Sequence, residues 1–88
     1  MTYIIEISPD ARKIYEKLAQ KDTKNYEIIK AHLKRLAENP RLGKPLVKNF
    51  KGKWSLRAAD YRIIYEINDK KITILILDIG HRRNVYDD

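Results

Sequence analysis

The stretch that decides the fold is "KWSLRAADYRIIYEINDKKITILILDI", residues 53–79. Apolar and polar residues alternate along it, which is typical of β-strands that have one buried face. Turn-forming pairs at Ala59-Asp60 and Asn68-Asp69 interrupt the pattern twice. The stretch therefore predicts three consecutive strands joined by two tight turns.

Two helices are predicted before this stretch. In the first, Ser8 is placed to cap the helix and Pro9 occupies its first position, with an end near Lys21. Asp22 or Thr23 can cap the second helix, which the pair Asn39-Pro40 ends because the residue before a proline avoids helical geometry. The apolar stripe of this second helix consists of Ile29, Leu33, Leu36 and Ala37.

Two shorter strands complete the prediction. One covers Thr2 to Ile7, and the other is "LVKNF", residues 46–50. The predicted fold class is α+β, with two N-terminal helices packed on one face of a four- or five-stranded, mostly antiparallel sheet. At 88 residues, the chain is expected to form a single domain over residues 1–88.

Strand alternation sorts the side chains of the sheet into two faces. Trp54, Leu56 and Ala58 share a face, and the next strand should add Tyr61, Ile63, Tyr65 and Ile67 to it. This apolar set must meet the helices, which leaves Lys53, Arg57 and Arg62 on the open face. Glu66 also falls on that open face, and Asp78 is a second acid that could balance the arginines there.

The last strand is apolar on both faces. Ile72, Ile74 and Ile76 share one parity, whereas Leu75, Leu77 and Ile79 share the other. A sheet with helices on one side only should have a wet face. Either the chain itself buries both sides of this strand, or a partner segment covers one of them.

The positive charge of the chain is clustered. There are 19 Lys and Arg against 12 Asp and Glu, a net charge of +7. Between Arg41 and Arg62 the single acid is Asp60, against seven basic residues. A folded domain with such a patch points to a polyanionic partner, most often a nucleic acid, although a merely soluble lysine-rich surface is the alternative.

Composition also excludes several classes of site. The absence of cysteine removes disulfides, thiolate nucleophiles and cysteine-bound zinc. No cluster of His, Asp and Glu has metal-ligand spacing, so neither a metal nor another cofactor is predicted. No signal peptide and no membrane-spanning run is recognisable, and a cytoplasmic location without membrane contact is expected.

The end of the chain, "GHRRNVY" (residues 80–86), places polar side chains at the exit of an apolar strand. Arginine grips phosphate through planar bidentate hydrogen bonds, and tyrosine offers a stacking surface or a phenolic proton. His81 has two interpretations, a structural or surface histidine and a proton-transfer group. The side chains expected to contact a nucleic acid are Lys48, Lys51, Arg57, His81 and Arg83.

Together, "NPRLGKPL" (39–46), "LRAADYRIIYEI" (56–67) and the terminal "GHRRNVY" resemble the RelE toxins of the RelE/ParE superfamily over essentially the whole chain. This resemblance implies a ribosome-dependent endoribonuclease that cleaves mRNA. It also implies a cognate RelB-like antitoxin that binds the monomeric toxin in a hetero-oligomer. The alternatives are a non-enzymatic inhibitor of DNA gyrase, as ParE-type relatives are, and a basic nucleic-acid-binding module without catalysis.

The resemblance also implies roles for individual residues. Arg62 matches a phosphate-binding arginine, Arg82 an arginine that stabilises the transition state, and Tyr86 a tyrosine at the cleaved nucleotide. Lys53 matches the first of two catalytic lysines of some members, whereas Ser55 stands at the position of the second. His81 stands where some members carry another base, which leaves Lys53, His81 or neither as the general base.

Overall fold

The computed structural model describes residues 2–81, which form two α-helices, five strands and two short 3-10 helices. The strands are β1 (Ile4–Ile7), β2 (Lys44–Pro45), β3 (Trp54–Ala58), β4 (Tyr61–Asn68) and β5 (Thr73–His81). The α-helices are α1 (Pro9–Lys21) and α2 (Thr23–Glu38), and the 3-10 helices are Pro40–Leu42 and Lys48–Phe50.

The five strands form one sheet in the order β1-β5-β4-β3-β2. The β1–β5 pair is parallel and the other three pairs are antiparallel. The predicted architecture, two helices on a five-stranded and mostly antiparallel sheet, is confirmed. The long strands β4 and β5 lie at its centre and carry most of the ladder.

Both helices begin where the sequence places their caps. The Ser8 hydroxyl accepts a hydrogen bond from the Ala11 N–H at 3.3 Å and donates to the Leu77 carbonyl at 2.9 Å. It therefore caps α1 and ties that helix to β5 at the same time. At the start of α2, the Asp22 carboxylate accepts from the Asn25 N–H at 3.3 Å.

The core lies between the two helices and one face of the sheet. The helices contribute Ala11, Leu18, Ile29, Leu33 and Leu36, and the strands contribute Leu56, Ala58, Ile63, Tyr65, Ile74, Ile76 and Ile79. The alternation predicted for β3 and β4 is correct for this core, because the residues that the two strands contribute to it all belong to the predicted apolar set. Ile64 of β4 is also fully buried, but it does not belong to this cluster. The opposite side of the sheet is called the open face below.

A β-bulge accounts for part of the two-sided apolar pattern of β5. Ile64 pairs with Asp78, but the next residue, Tyr65, pairs with Ile76, so β5 has one extra residue there. The bulge moves Ile79 to the helix side, where it is fully buried. Grouping Ile79 with Leu75 and Leu77 was therefore wrong. Those two leucines are half-buried.

The prediction of a strand at residues 46–50 was also wrong. The strand is Lys44–Pro45, and it pairs with β3. After Leu46, whose N–H donates to the Lys53 carbonyl at 2.8 Å, the chain turns away. Lys48 has a φ of 59°, a left-handed conformation that is incompatible with a continuing strand.

The loop that follows α2 is fastened to the sheet by a buried phenol. The Tyr65 hydroxyl donates to the Pro40 carbonyl at 2.8 Å and accepts from the Gly43 N–H at 3.1 Å. A Cβ at Gly43 would collide with the Ser55 carbonyl oxygen and with this hydroxyl, so only glycine permits the approach. Burial raises the pKa of Tyr65, which keeps the phenol protonated as a donor.

A second set of contacts joins three loops at the surface. The Tyr3 hydroxyl donates to Asp69 Oδ1 at 2.6 Å, and Arg41 Nη2 lies 3.0 Å from Asp69 Oδ2. Asp69, in the β4–β5 turn, thus connects this turn to the segment before β1 and to the loop after α2. The hydrogen bonds from Arg41 and then from Tyr3 lower the pKa of Asp69 below its ordinary value.

Replacing Tyr65 by Phe should lower the free energy of unfolding by about 1–3 kcal/mol, because two partly buried backbone groups lose their partner. Urea unfolding monitored by circular dichroism measures the change. Tyr3→Phe is the matched control and should cost less, since its hydroxyl bonds at the surface. Equal losses for the two variants would contradict the anchoring role of Tyr65.

Replacing Asp69 by Asn should reduce stability at neutral pH and matter little in strong acid. The pKa of Asp69 is lowered in the folded state, so its contribution is present above the ordinary value of 3.8 and is lost as the pH falls through the folded pKa. Urea midpoints of wild type and Asp69→Asn should therefore converge below pH 3.8. A constant difference down to the acid limit would disprove the assignment.

Candidate nucleic-acid interface

Two rows of side chains cross the open face at one end of the sheet. In the first row, Arg57 of β3 pairs with Arg62 of β4, which pairs with Gly80 of β5. Their neighbours Leu56 and Ile63 point into the core, so the two arginines point away from it. Because facing residues of antiparallel strands lie close, the two guanidinium groups share one small area.

The second row brings a lysine to the same area. Lys44 of β2 pairs with Ser55 of β3, which pairs with Ile64 of β4. Residues from both rows line an open cavity of about 430 Å³, called the cationic cavity here. Its lining consists of Leu42, Gly43, Lys44, Ser55, Leu56, Arg57 and Arg62.

The chemistry of the cationic cavity suits a phosphate. Three of its lining residues are cations, and none of the described residues that line it is an acid. Arg57 Nε donates to the Ala59 carbonyl at 3.3 Å, which anchors that side chain beside the β3–β4 turn. Like charges at directly facing positions destabilise a sheet, so their presence here indicates a site for an anion.

The remaining lysines of the basic cluster lie elsewhere. Lys48 and Lys51 are exposed in a covering segment, residues 46–53, which connects β2 to β3. Lys53 is half-buried and by alternation shares the open face with Ser55. These three lysines do not line the cationic cavity, and their RNA-binding or catalytic roles stay predictions.

The covering segment lies over the other end of the open face. Gly52 lines a second cavity of about 310 Å³ together with Glu6, Glu66 and Leu75. Glu6 and Glu66 are the neighbours of Leu75 on either side in the sheet. Glu6 and Glu66 therefore lie at the other end of the open face from Arg57 and Arg62, whereas Asp78 pairs with Ile64 in the row next to the arginines.

His81 lies on the opposite side of the sheet from the two arginines. It pairs with Tyr61, and the two rings meet edge to face with centroids 5.8 Å apart. It also lines a groove with Ile14 and Leu18 of α1. The structure therefore does not bring His81 together with Arg62, and an RNA contact through His81 stays a prediction.

Arg82, Arg83 and Tyr86 lie outside the described residues. Their predicted roles can be related to the site only through the strand that precedes them. Gly80 of β5 is the direct neighbour of Arg62, so the chain leaves β5 beside the cationic cavity.

Sequence reasoning missed Lys44 as a site residue. The lysine belonged to the basic cluster of the chain, but the pattern predicted the β2 strand at residues 46–50. Only the β2–β3 pairing places Lys44 opposite Ser55. The available signal was the density of positive charge between Arg41 and Arg62.

Two other features are absent from residues 2–81. No group of three or more His, Asp or Glu side chains is arranged to hold a metal ion in this part of the chain. No helix of the same range has the length and apolarity needed to cross a membrane.

Comparison with known proteins gives a consistent assignment. Residues 5–86 match the model of a protein family described as ParE toxin of the type II toxin-antitoxin system parDE. Toxin RelG of Mycobacterium tuberculosis is 31% identical over 87 residues, which cover 98% of each chain. The mRNA interferase toxin RelE of Escherichia coli K12 is 26% identical over 84 residues, 93% of this chain and 85% of that protein.

The fold agrees with this sequence similarity. The crystal structure of the toxin-antitoxin complex RelBE2 from Mycobacterium tuberculosis contains a chain that superposes with a TM-score of 0.82. The two chains are 29% identical, and the match covers 96% of this chain and 95% of the other.

Replacing Arg57 by Gln should stabilise the isolated protein slightly, by about 0.2–1 kcal/mol, because it removes a like charge facing Arg62. The gain should be largest at low ionic strength and should fade with added salt, which screens exposed charges. Thermal unfolding at several salt concentrations measures it. Lys34→Gln on the exposed side of α2 is the control, and an equal effect of both would contradict repulsion within the cavity.

Proposed function

The chain belongs to the RelE/ParE family of toxins from type II toxin–antitoxin systems, and from this membership we propose that it is an mRNA interferase. Its substrate is mRNA bound to the ribosome, and its reaction is cleavage of the phosphodiester backbone. The observation that carries the proposal is the cationic cavity, where Arg57, Arg62 and Lys44 converge on one open depression. A relative over most of the chain's length is named an mRNA interferase.

RNA supplies its own nucleophile in the proposed reaction. The 2′-hydroxyl loses its proton and attacks the adjacent phosphorus, and the bond from phosphorus to the 5′-oxygen of the next nucleotide breaks. The leaving oxygen takes up a proton, and the products carry a 2′,3′-cyclic phosphate and a 5′-hydroxyl. Such a reaction needs in-line geometry and stabilisation of the phosphorane charge, and it can proceed without a metal ion.

The strands of the site supply the charge stabilisation. Arg62 lies at the centre of the sheet, between β3 and β5, so its backbone is held by ladders on both sides. Arg57 faces it from β3 with the same orientation. A guanidinium on a rigid strand is preorganised for the phosphorane, because little reorganisation is required when charge develops.

Proton transfer is the second requirement of the reaction. Lys53 and Tyr86 are the proposed candidates, and Arg82 is the proposed additional charge on the phosphorane. His81 is the weaker candidate for a base, since it lies on the helix side of the sheet. The ribosome contributes by holding the mRNA in an extended conformation, which a site without a strong base requires.

We further propose that a RelB-like antitoxin binds this toxin in a hetero-oligomer in the cytoplasm. The chain resembles the toxin of a crystallised toxin-antitoxin complex. Leu75 and Leu77 of β5 are only half-buried, which leaves apolar surface that a partner segment can cover. The toxin itself is monomeric within this hetero-oligomer.

A second candidate function is inhibition of DNA gyrase without catalysis. The family model that matches this chain is described for ParE toxins, and Ser55 stands where some ribonucleases of the superfamily carry a lysine. In this alternative the arginines would serve the fold or an interface. Inhibition of gyrase supercoiling by the purified toxin, together with intact ribosome-bound mRNA, would favour it.

Purified toxin should cleave mRNA in a programmed ribosome, and one 2′-deoxy nucleotide placed 5′ to the scissile phosphate should abolish the cleavage. The 2′-deoxy substrate lacks the nucleophile but keeps the phosphate and should still bind. Primer extension locates the cut, and the same experiment with EDTA-treated toxin tests metal independence. Cleavage of the 2′-deoxy mRNA would mean that water attacks and would refute this mechanism.

Arg62→Ala should reduce that cleavage rate about a hundredfold or more, since it removes a charged donor from the transition state. Lys34→Ala on α2 is the matched control and should cleave at the wild-type rate. Wild-type activity in Arg62→Ala would remove the cationic cavity from the mechanism.

A further inference from the structure

Lys44 is a cation of the proposed substrate site that sequence reasoning did not assign to it. It belongs to β2, the two-residue strand at the sheet edge, and it faces Ser55 across the β2–β3 ladder. Facing residues of an antiparallel pair project to the same side with Cβ atoms about 4.5–5.5 Å apart. Lys44 therefore projects over the open face, where Ser55, Arg57 and Arg62 line the same cavity.

The short side chain of Ser55 leaves room for that lysine. Ser55 occupies the position between Lys44 and Ile64 across the sheet, and Arg57 follows two residues later on the same face. A serine neither fills the cavity nor adds charge to it. The ammonium group of Lys44 can therefore extend across Ser55 toward the pair of arginines.

The backbone that carries Lys44 is held in place on both sides. The preceding Gly43 donates its N–H to the Tyr65 hydroxyl at 3.1 Å and packs too closely on Ser55 to accept a side chain. Two residues further on, Leu46 donates to the Lys53 carbonyl at 2.8 Å and is almost completely buried. These contacts fix the register of β2, so the lysine enters the cavity from a defined position.

We propose that Lys44 is a substrate-contacting residue, whose ammonium group binds the phosphate that Arg57 and Arg62 also bind. The proposal rests on the function proposed above and adds a third cation to that site. Lysine acts as a point charge, with three donors that can follow a phosphate as its geometry changes. Approaching from the sheet edge, it reaches the phosphate on the side opposite to the one facing β5.

Lys44→Gln should slow cleavage of ribosome-bound mRNA about 10–100-fold under single-turnover conditions, as expected for losing one charge-assisted hydrogen bond. Lys44→Arg, which keeps the charge, should retain most of the activity. Lys34→Gln removes a lysine from the exposed side of α2 and should match wild type. A Lys44→Gln variant as fast as Lys34→Gln would overturn the proposal.

A double-mutant cycle tests whether Lys44 acts in this cavity. Ser55→Lys places an ammonium group at the facing position, on the same side of the sheet. In that background Lys44→Gln should cost much less than it does in wild type, because the new lysine serves the same phosphate. An equal loss in both backgrounds would locate the effect outside the cavity and overturn the proposal.

Binding to RNA separates this inference from the proposed activity. The probe is a short single-stranded RNA with one 2′-deoxy nucleotide, and its affinity is measured at several salt concentrations. Lys44→Gln should reduce the salt slope by about 0.7, the release of one counterion from single-stranded RNA, whereas Lys34→Gln should not. If Lys44→Gln lowers the salt slope but the wild-type toxin does not cleave mRNA, the interferase function fails and the phosphate contact stands. If the wild-type toxin cleaves mRNA but Lys44→Gln leaves the salt slope unchanged, the phosphate contact alone is refuted.

Discussion

The hydroxyl of Tyr65 is the contact on which the geometry of the site depends. It lies in the core, between the sheet and the helices, and it bonds to Pro40 and Gly43 of the loop that follows α2. This loop leads directly into β2, so the same hydroxyl determines where the sheet edge begins. Without the contact, two polar groups of the loop would lose their partner, and its path toward β2 would be less constrained. The position of Lys44, and with it one wall of the cationic cavity, follows from a buried phenol on the opposite face of the sheet.

The two faces of the sheet have different roles: one packs in the core, and the other carries the candidate site. The helix side holds the apolar core, whereas the open face carries arginines at one end and the carboxylates of Glu6 and Glu66 at the other. The facing pair of Arg57 and Arg62 opposes folding, because like charges at paired positions repel. In the proposed function, binding of the substrate phosphate offsets this repulsion. Ile64 of this face is fully buried, although its side chain points away from the helices.

Much of the fold could be predicted because its determinants are local. The caps Ser8 and Asp22, the stop at Asn39-Pro40 and the alternation of β3 and β4 each depend on residues close in sequence, and the structure confirms them. The predictions that failed depend on pairing between distant residues. The strand expected at residues 46–50 lies at Lys44–Pro45, because these are the residues that pair with β3. The burial of Ile79 depends on a bulge in β5 whose position is set by its pairing with β4.

The sequence by itself determined the fold class, the family and the arginines of the candidate site. These follow from hydrophobic period, helix caps, strand parity and motif, all of which act over short distances along the chain. Only the tertiary structure decided that Lys44 faces Ser55, that His81 lies on the helix side, and that the lysines at 48 and 51 are carried by a covering segment. The physical reason is that the pairing of two strands sets their register, and with it the face of the sheet on which each side chain lies. A single residue of bulge or shift moves a side chain to another face, and no local pattern in either strand records it.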